Sequence, residues 1–253
     1  MTPAPELSIL IPVYNEEAIL EAAARAIVQE LGARGYRYEL ILCENGSRDR
    51  TPEIGARLAA ELPHTAMLRY HEPNYGGALR AGMRRATGDI LVCYEIDFWD
   101  LDFVAQALPL LERFDIVIGS KRARGAADNR PFVRRLATRV FNLLLRTLLG
   151  FRGTDTHGLK AMRRAAVADI IEVCETDKDV YATELIVRAQ YLGRAITEIP
   201  IAVHEIRPAP INIFRRVPRA LRQVLRLWRL SRGWRAQSRA AQATLAVNRD
   251  ATL

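Results

Sequence analysis

No stretch of this sequence is apolar for long enough to cross a bilayer: the longest run, VFNLLLRTLLGF at 140–151, is interrupted by Asn142 and Arg146 and is too short. Histidine is scarce. The four residues, His64, His71, His157 and His204, are scattered, and no Cys/His pair has ligand spacing, which argues against a zinc site. The three cysteines, Cys43, Cys93 and Cys174, are odd in number and two lie inside strand-like runs, a pattern of reduced buried thiols rather than of a disulfide framework. The start, MTPAPELSIL, offers no long apolar stretch, and no basic residue precedes Arg25, so a secretory signal is not expected and the chain is expected to stay in the cytosol. There is no internal repeat, and no low-complexity tract beyond the Arg/Ala-rich end.

What is present is a chain of 253 residues, 49% hydrophobic, enough to fill the core of one large α/β domain or two small ones. Lysine and arginine outnumber Asp and Glu by 37 to 29, a net charge of +8 that gathers at 121–164 and 207–239. An excess so placed suits a polyanion or a membrane surface.

LSILIPV at 7–13 and ELILC at 39–43 are continuous apolar runs, and between them apolar residues recur at helical spacing from Ala18 to Leu31. TPEIGARLAAEL then reads as a helix, AMLRY as a strand, GGALRAGMRRA as a helix and DILVCYEI as a strand. This β-α-β-α-β-α-β series, with strands that are apolar throughout, predicts a mostly parallel sheet covered by helices on both faces. Further on, helices are expected near 101–113, 132–149, 163–173 and 180–192, strands at 115–120 and 195–201, and a basic helix over 211–232 that no longer reads as core.

In an open parallel sheet, ligands bind outside the carboxyl ends of the strands. Those ends read Tyr14-Asn15-Glu16-Glu17, Glu44-Asn45-Gly46-Ser47, Glu72-Pro73-Asn74-Tyr75-Gly76-Gly77 and Glu95-Ile96-Asp97. Glu95 and Asp97 alone also suit a strand that simply reaches the surface; four strands ending alike on one edge favour a site. Two carboxylates there suit a hard divalent cation, Mg²⁺ or Mn²⁺, which accepts oxygen ligands and keeps places for substrate phosphates. Residues i and i+2 share a face if the strand stays regular.

The order of motifs resembles the family-2 glycosyltransferases, and within them the polyprenyl- or dolichyl-phosphate sugar (mannosyl- or glucosyl-) synthases. It is carried by SILIPVYNEE at 8–17, ENGSRDRT at 44–51, NYGGALRAGMRRATGDI at 74–90, EID at 95–97, GSKR at 119–122, RRLATRVFN at 134–142, DTHGLKAMRR at 155–164, TELIVRAQYLG at 183–193 and EIPI at 198–201. The resemblance implies a GT-A fold over 1–205, a nucleoside-diphosphate sugar donor, a divalent metal and transfer with inversion. It places Pro12, Tyr14, Glu16, Glu44, Asn45, Gly77 and Glu95 at the donor nucleotide and Glu95 and Asp97 at the metal. Asp97, Arg122, Arg134 and Asp155 fall on catalytic positions, and Arg134, Arg135 and Thr138 on the acceptor phosphate. Three departures stand out: the family's Asp-Asp is Glu44-Asn45, its DXD begins with Glu95, and an Asp two residues before Glu184 is Ala182.

Inverting transfer needs a nucleophile opposite the leaving diphosphate and charge stabilisation on that diphosphate. A hydroxyl acceptor also needs a general base, whereas a phosphomonoester with a second pKa of about 6 is already ionised at neutral pH. Ala182 therefore suits a lipid-phosphate acceptor. Several residues have a second reading: Arg134 and Arg135 as a solvated helix face, Asp155 as turn chemistry beside Thr154, and Gly76 and Gly77 as a helix start.

In the tail, Phe214, Val217, Leu221, Val224, Leu225 and Trp228 recur at spacings of three and four beside Arg215, Arg219, Arg222, Arg226 and Arg229. A helix of that kind, within a basic amphipathic segment at 206–253, is expected to lie in an anionic membrane interface, with packing against the domain as the other reading. The expectation is thus a peripheral enzyme on the cytoplasmic face of the membrane, in cell-envelope glycan biosynthesis. A glycan acceptor and a non-catalytic, nucleotide-binding relative are the alternatives. No recognised nucleic-acid-binding motif accompanies the arginines, so no nucleic acid is expected.

Overall fold

In the computed structural model of the protein, the described residues are 5–121, 132–156, 158–178, 180–202 and 221–234, with 132–134 described by backbone alone. Seven strands form one sheet in the order β3-β2-β1-β4-β6-β5-β7. These are β1 (Leu7–Val13), β2 (Tyr38–Asn45), β3 (Thr65–Tyr70), β4 (Ile90–Cys93), β5 (Ile116–Ser120), β6 (Lys160–Arg163) and β7 (Ile196–Pro200). All pairings are parallel except those of β6, which runs antiparallel to both β4 and β5.

The helices are α1 (Leu20–Ala33), α2 (Thr51–Glu61), α3 (Tyr75–Arg85), α4 (Leu101–Leu110), α5 (Phe132–Leu149), α6 (Arg164–Val173) and α7 (Tyr181–Tyr191), followed by α8 at 221–234. They cover the sheet in two layers. Ile9, Ile11, Leu40, Leu42 and Val92 point into a core closed by α1, α2 and α4, while Leu10, Ile41, Cys43, Leu91 and Cys93 point into one closed by α3, α5, α6, α7 and α8. Every residue of β1 is buried. That is why these strands read as unbroken apolar runs instead of alternating ones.

The end of the fourth strand and the place of the basic helix differ from the sequence expectations, one strand is additional, and the cysteines are as expected. The strand expected over 89–96 ends at Cys93, because Glu95 N–H and Phe98 N–H each bond the other's carbonyl, at 3.2 and 3.1 Å, and close a tight turn. Glu95 and Asp97 are therefore turn residues, not neighbours on one strand face. β6 was not foreseen: four residues, Lys-Ala-Met-Arg, carry no periodic signal, and their strand state is set by β4 and β5 on either side. The basic helix, expected to lie outside the core, buries Val224, Leu227 and Trp234 in it, while Leu221 and Leu225 are exposed; residues 211–220 lie outside the described part. The three cysteines are free and buried.

Candidate active site

The loops after β1 and β2 are sewn together by side-chain caps on backbone amides. Asn15 N–H donates to Ser47 Oγ (3.0 Å), Glu16 N–H to Thr51 Oγ1 (2.8 Å) and Glu17 N–H to Asp49 Oδ2 (3.1 Å), while Arg48 and Arg50 N–H donate back to Asn15 and Glu17 at 2.8 and 3.0 Å. Asn15 takes a positive φ of 54°, which an asparagine tolerates better than most residues. Gly46, at φ 67°, is also required by space, since a Cβ there would come within 2.7 Å of the Glu72 carbonyl carbon. Pro12 is buried in β1 and Tyr14 is left exposed at its end.

Glu44 is fully buried, and its Oε1 accepts the Ser47 N–H at 2.6 Å. Its other oxygen has no hydrogen bond and lies 3.7 Å from Arg69 Nε. In this chain the first residue of the Glu44-Asn45 pair thus holds its own loop. Asn45 Oδ1 accepts the Asn74 N–H, which fixes the amide orientation and leaves the NH₂ group as what Asn45 can offer a ligand.

Asn74 caps α3 through the Gly77 N–H (2.9 Å) and donates its Nδ2 to Asp177 Oδ2 at 3.0 Å. The Gly77 N–H is shared with the Asp177 carbonyl at 2.8 Å. A Cβ on Gly77 would meet the Tyr70 ring at 2.8 Å, and one on Gly76 would meet Tyr181 Cβ at 2.4 Å. Packing and capping account for both glycines in the fold, the second of the two readings given from the sequence, and the Gly77 N–H is engaged by Asn74 and Asp177.

Asp97 is exposed in the turn after β4, and Glu95 is partly accessible. The Tyr75 hydroxyl donates to Glu95 Oε1 at 2.8 Å. Burial pushes the Glu95 carboxyl above the ordinary range, Asp97's charge adds to this, and the Tyr75 hydrogen bond and Lys160 oppose it. Lys160, buried on β6, donates to the Gly158 carbonyl at 2.7 Å. Its ammonium is pulled below its usual range by burial, against the fields of Asp155 and Glu95.

Asp155 is buried, with Lys121 Nζ 3.6 Å from its Oδ2. The segment carrying it is held by Glu198 of β7, whose carboxylate accepts the Thr154 N–H (2.6 Å), the Thr154 hydroxyl and the Asp155 N–H. On α5, Asn142 Nδ2 donates to the Thr154 carbonyl at 2.6 Å, and Thr138 lies one turn before it. Arg135 is exposed. Arg122, His157 and the side chain of Arg134 lie outside the described residues. Ala182 is buried on α7, and Thr183 beside it meets Thr156 at 2.9 Å.

The structure thus links the strand ends in one series: Asn45 to Asn74, Tyr75 to Glu95, and Lys160 in the field of both Glu95 and Asp155. Tyr75, Asp177 and Glu198 were not foreseen as supports, since each acts through a partner far away in sequence. Among the described residues no three His, Cys, Asp or Glu side chains converge as a metal site. A hard cation could take Glu95 and Asp97 as its protein ligands only with other oxygens supplied by water and ligand phosphates, a donor set that fits Mg²⁺ or Mn²⁺.

A family model described as glycosyl transferase family 2 matches residues 8–171. Glycosyltransferase AglD of Haloferax volcanii is 31% identical over 235 residues, covering 88% of this chain and 37% of that protein. A dolichyl-phosphate hexose transferase of the same organism is 27% identical over 203 residues, covering 79% of this chain and 83% of its own length. The chain therefore spans little more than a third of one curated relative and most of the other. Glucosyl-3-phosphoglycerate synthase from Mycobacterium tuberculosis, solved with Mn²⁺, uridine diphosphate and glucosyl-3-phosphoglycerate, superposes with a TM-score of 0.60 at 19% identity, over 88% of this chain and 78% of that one. That likeness concerns the fold, which is GT-A.

Proposed function

This chain belongs to glycosyl transferase family 2, and from that premise we propose that it transfers a sugar, with inversion, from a nucleoside-diphosphate sugar to a polyprenyl phosphate at the cytoplasmic face of an anionic membrane. The observation that carries this reading is the exposed Asp97 in a turn whose partner, Glu95, is oriented by Tyr75, at the edge where the β1 and β2 loops also end. Glu95 and Asp97 would hold Mg²⁺ or Mn²⁺, which when bound takes up charge on the leaving diphosphate.

The remaining roles are those the family resemblance implies. Tyr14 presents a ring at the nucleotide edge, and Pro12, Glu16 and Glu44 shape the loops beneath it. Asn45 offers its NH₂ to a carbonyl of the base. Lys121 and Asp155 face the acceptor side, with Thr138 and the arginines 122, 134 and 135 in the acceptor-phosphate role. A phosphate acceptor needs no enzymatic base, which agrees with Ala182 being a buried methyl where a carboxylate would otherwise stand. The named activity of the haloarchaeal dolichyl-phosphate hexose transferase supports the same acceptor class.

The test is thermal stability against GDP, UDP and their sugars with Mg²⁺ or Mn²⁺, followed by transfer to a short polyprenyl phosphate in detergent. A ligand at a hundred times its dissociation constant adds about 2.7 kcal/mol. Stabilisation by one nucleotide sugar, dependent on metal, is expected. No stabilisation across the panel would make the chain a non-catalytic relative, and transfer only to a glycan hydroxyl would replace the acceptor.

A further inference from the structure

Asp177 lies in the loop between α6 and α7, between the motifs at 155–164 and 183–193, yet it grips the start of α3. Its Oδ2 accepts from Asn74 Nδ2 at 3.0 Å, and its carbonyl accepts the Gly77 N–H at 2.8 Å. Asn74 is buried, and its own backbone N–H is what occupies Asn45 Oδ1. Three residues from distant parts of the chain thus stand in series, Asp177 behind Asn74 and Asn74 behind Asn45.

The loop that carries Asp177 is a fixed frame. Glu184, fully buried, accepts the Glu175 and Thr176 N–H groups at 2.9 and 2.6 Å, Arg188 holds the Glu175 carboxylate at 2.7 Å, and Arg80 of α3 donates to the Cys174 carbonyl at 2.8 Å. The approach to α3 is close, since a Cβ on Gly76 would come within 2.6 Å of the Asp177 carbonyl oxygen. Against this frame the Asn74 amide has one orientation that satisfies both partners: Oδ1 towards the Gly77 N–H, Nδ2 towards the Asp177 carboxylate.

The consequence reaches Asn45. An asparagine amide free to turn can offer a ligand either its carbonyl or its NH₂, and so accepts a donor or an acceptor in the same place. The Asn45 amide is not free, because it is buried with its oxygen committed to the Asn74 N–H, and turning it would set N–H against N–H. We propose that Asp177 is a positioning residue for base selection: by holding Asn74 it locks the Asn45 amide with its NH₂ left for the ligand. A residue outside the donor site then decides which nucleobase edge the site accepts. The inference rests on the proposed function's reading of Asn45 as a donor-nucleotide residue.

Binding of UDP against CDP, and of inosine diphosphate against ADP, is measured by calorimetry on the full chain with Mn²⁺. Within each pair the sugar and diphosphate are the same and a base carbonyl is exchanged for an amino group. In the pair that binds, the carbonyl-bearing member is expected to bind about tenfold more tightly. Asp177→Ala should shrink that ratio to about twofold or less, and Asp177→Asn, which keeps an acceptor oxygen for Asn74 Nδ2, should restore it. Asn74→Ser keeps a capping oxygen for α3 but lacks the NH₂ that Asp177 holds, so it should shrink the ratio in the same way. A ratio near one in the parent chain, or the same ratio in the parent and Asp177→Ala, would overturn the inference. So would equal weakening of both members together with a lowered melting temperature, the signature of a residue that serves the fold alone. A parent chain that binds no nucleotide would defeat the proposed function, and this inference with it.

Discussion

The Tyr75 hydroxyl donates to Glu95 Oε1 at 2.8 Å and joins the first residue of α3 to the turn that follows β4. The bond aims one carboxylate of the Glu95/Asp97 pair, and groups that orient metal ligands typically contribute 10- to 100-fold in metal affinity. Tyr75→Phe should therefore raise the Mn²⁺ concentration needed for donor stabilisation by about that factor, at nearly unchanged metal-free melting temperature. Equal Mn²⁺ titrations for the two proteins would remove Glu95 from the metal site.

Asp97 is exposed and makes no contact that the fold depends on, so Asp97→Asn should abolish most metal-dependent donor binding while changing stability by less than about 0.5 kcal/mol. Glu95→Asp restores the residue usual in the family, yet it draws the carboxylate back from Tyr75 by one methylene. It should bind metal more weakly than the parent chain, and a gain of affinity on calorimetric titration would mean that the Tyr75 contact is dispensable.

The strands and helices up to β4 were legible because buried parallel strands and amphipathic helices each leave a periodic or continuous apolar signature. β6 was not, since its strand state comes from β4 and β5 and not from Lys160 to Arg163 themselves. At the site, the residue types at the strand ends and the helix start at Gly76 and Gly77 could be read, but not that Glu44 would be spent on its own loop. The supports were hidden for the same reason: Glu198 and Asp177 lie 44 and 103 residues from Thr154 and Asn74, the partners they hold.

Glu184 and Arg188 form a buried pair at 2.7 Å, and Glu184 also accepts the Glu175 and Thr176 N–H groups at 2.9 and 2.6 Å. Arg188 in turn lies 3.9 Å over the Trp234 ring. Removing one partner leaves a buried guanidinium and two amides short of acceptors, so Glu184→Ala should cost roughly 3 kcal/mol. For a domain of this size that is about 6–12 °C of melting temperature. A change of less than about 2 °C in calorimetry would show that the pair contributes little beyond what Glu175 and Trp234 already provide.

Glu198 holds the segment that carries Asp155 through two amides and a hydroxyl. Both backbone N–H groups bond Oε1, so Glu198→Gln keeps that acceptor but replaces Oε2, which accepts the Thr154 hydroxyl, by a donor, and removes the carboxylate charge that strengthens all three bonds. Acceptor KM should rise at least several-fold while donor KM stays fixed, because the donor loops after β1 and β2 are held by separate bonds. A proportional rise in both constants would mean that Glu198 serves the fold as a whole.

The acceptor class can be read from the pH dependence of single turnover. Ala182 places a buried methyl where a carboxylate might have served as base, so a phosphate acceptor must bring its own nucleophilic oxygen, ionised through a second pKa of about 6. Below that value the monoanion dominates and loses nucleophilicity, so the rate should fall about tenfold per pH unit as pH drops further. Replacing the acceptor with a phosphonate, whose second pKa is higher, should move the midpoint up with it. A midpoint that stays fixed when the acceptor's pKa changes would report a group on the enzyme instead, and would transfer the proposal from a lipid phosphate to a hydroxyl acceptor.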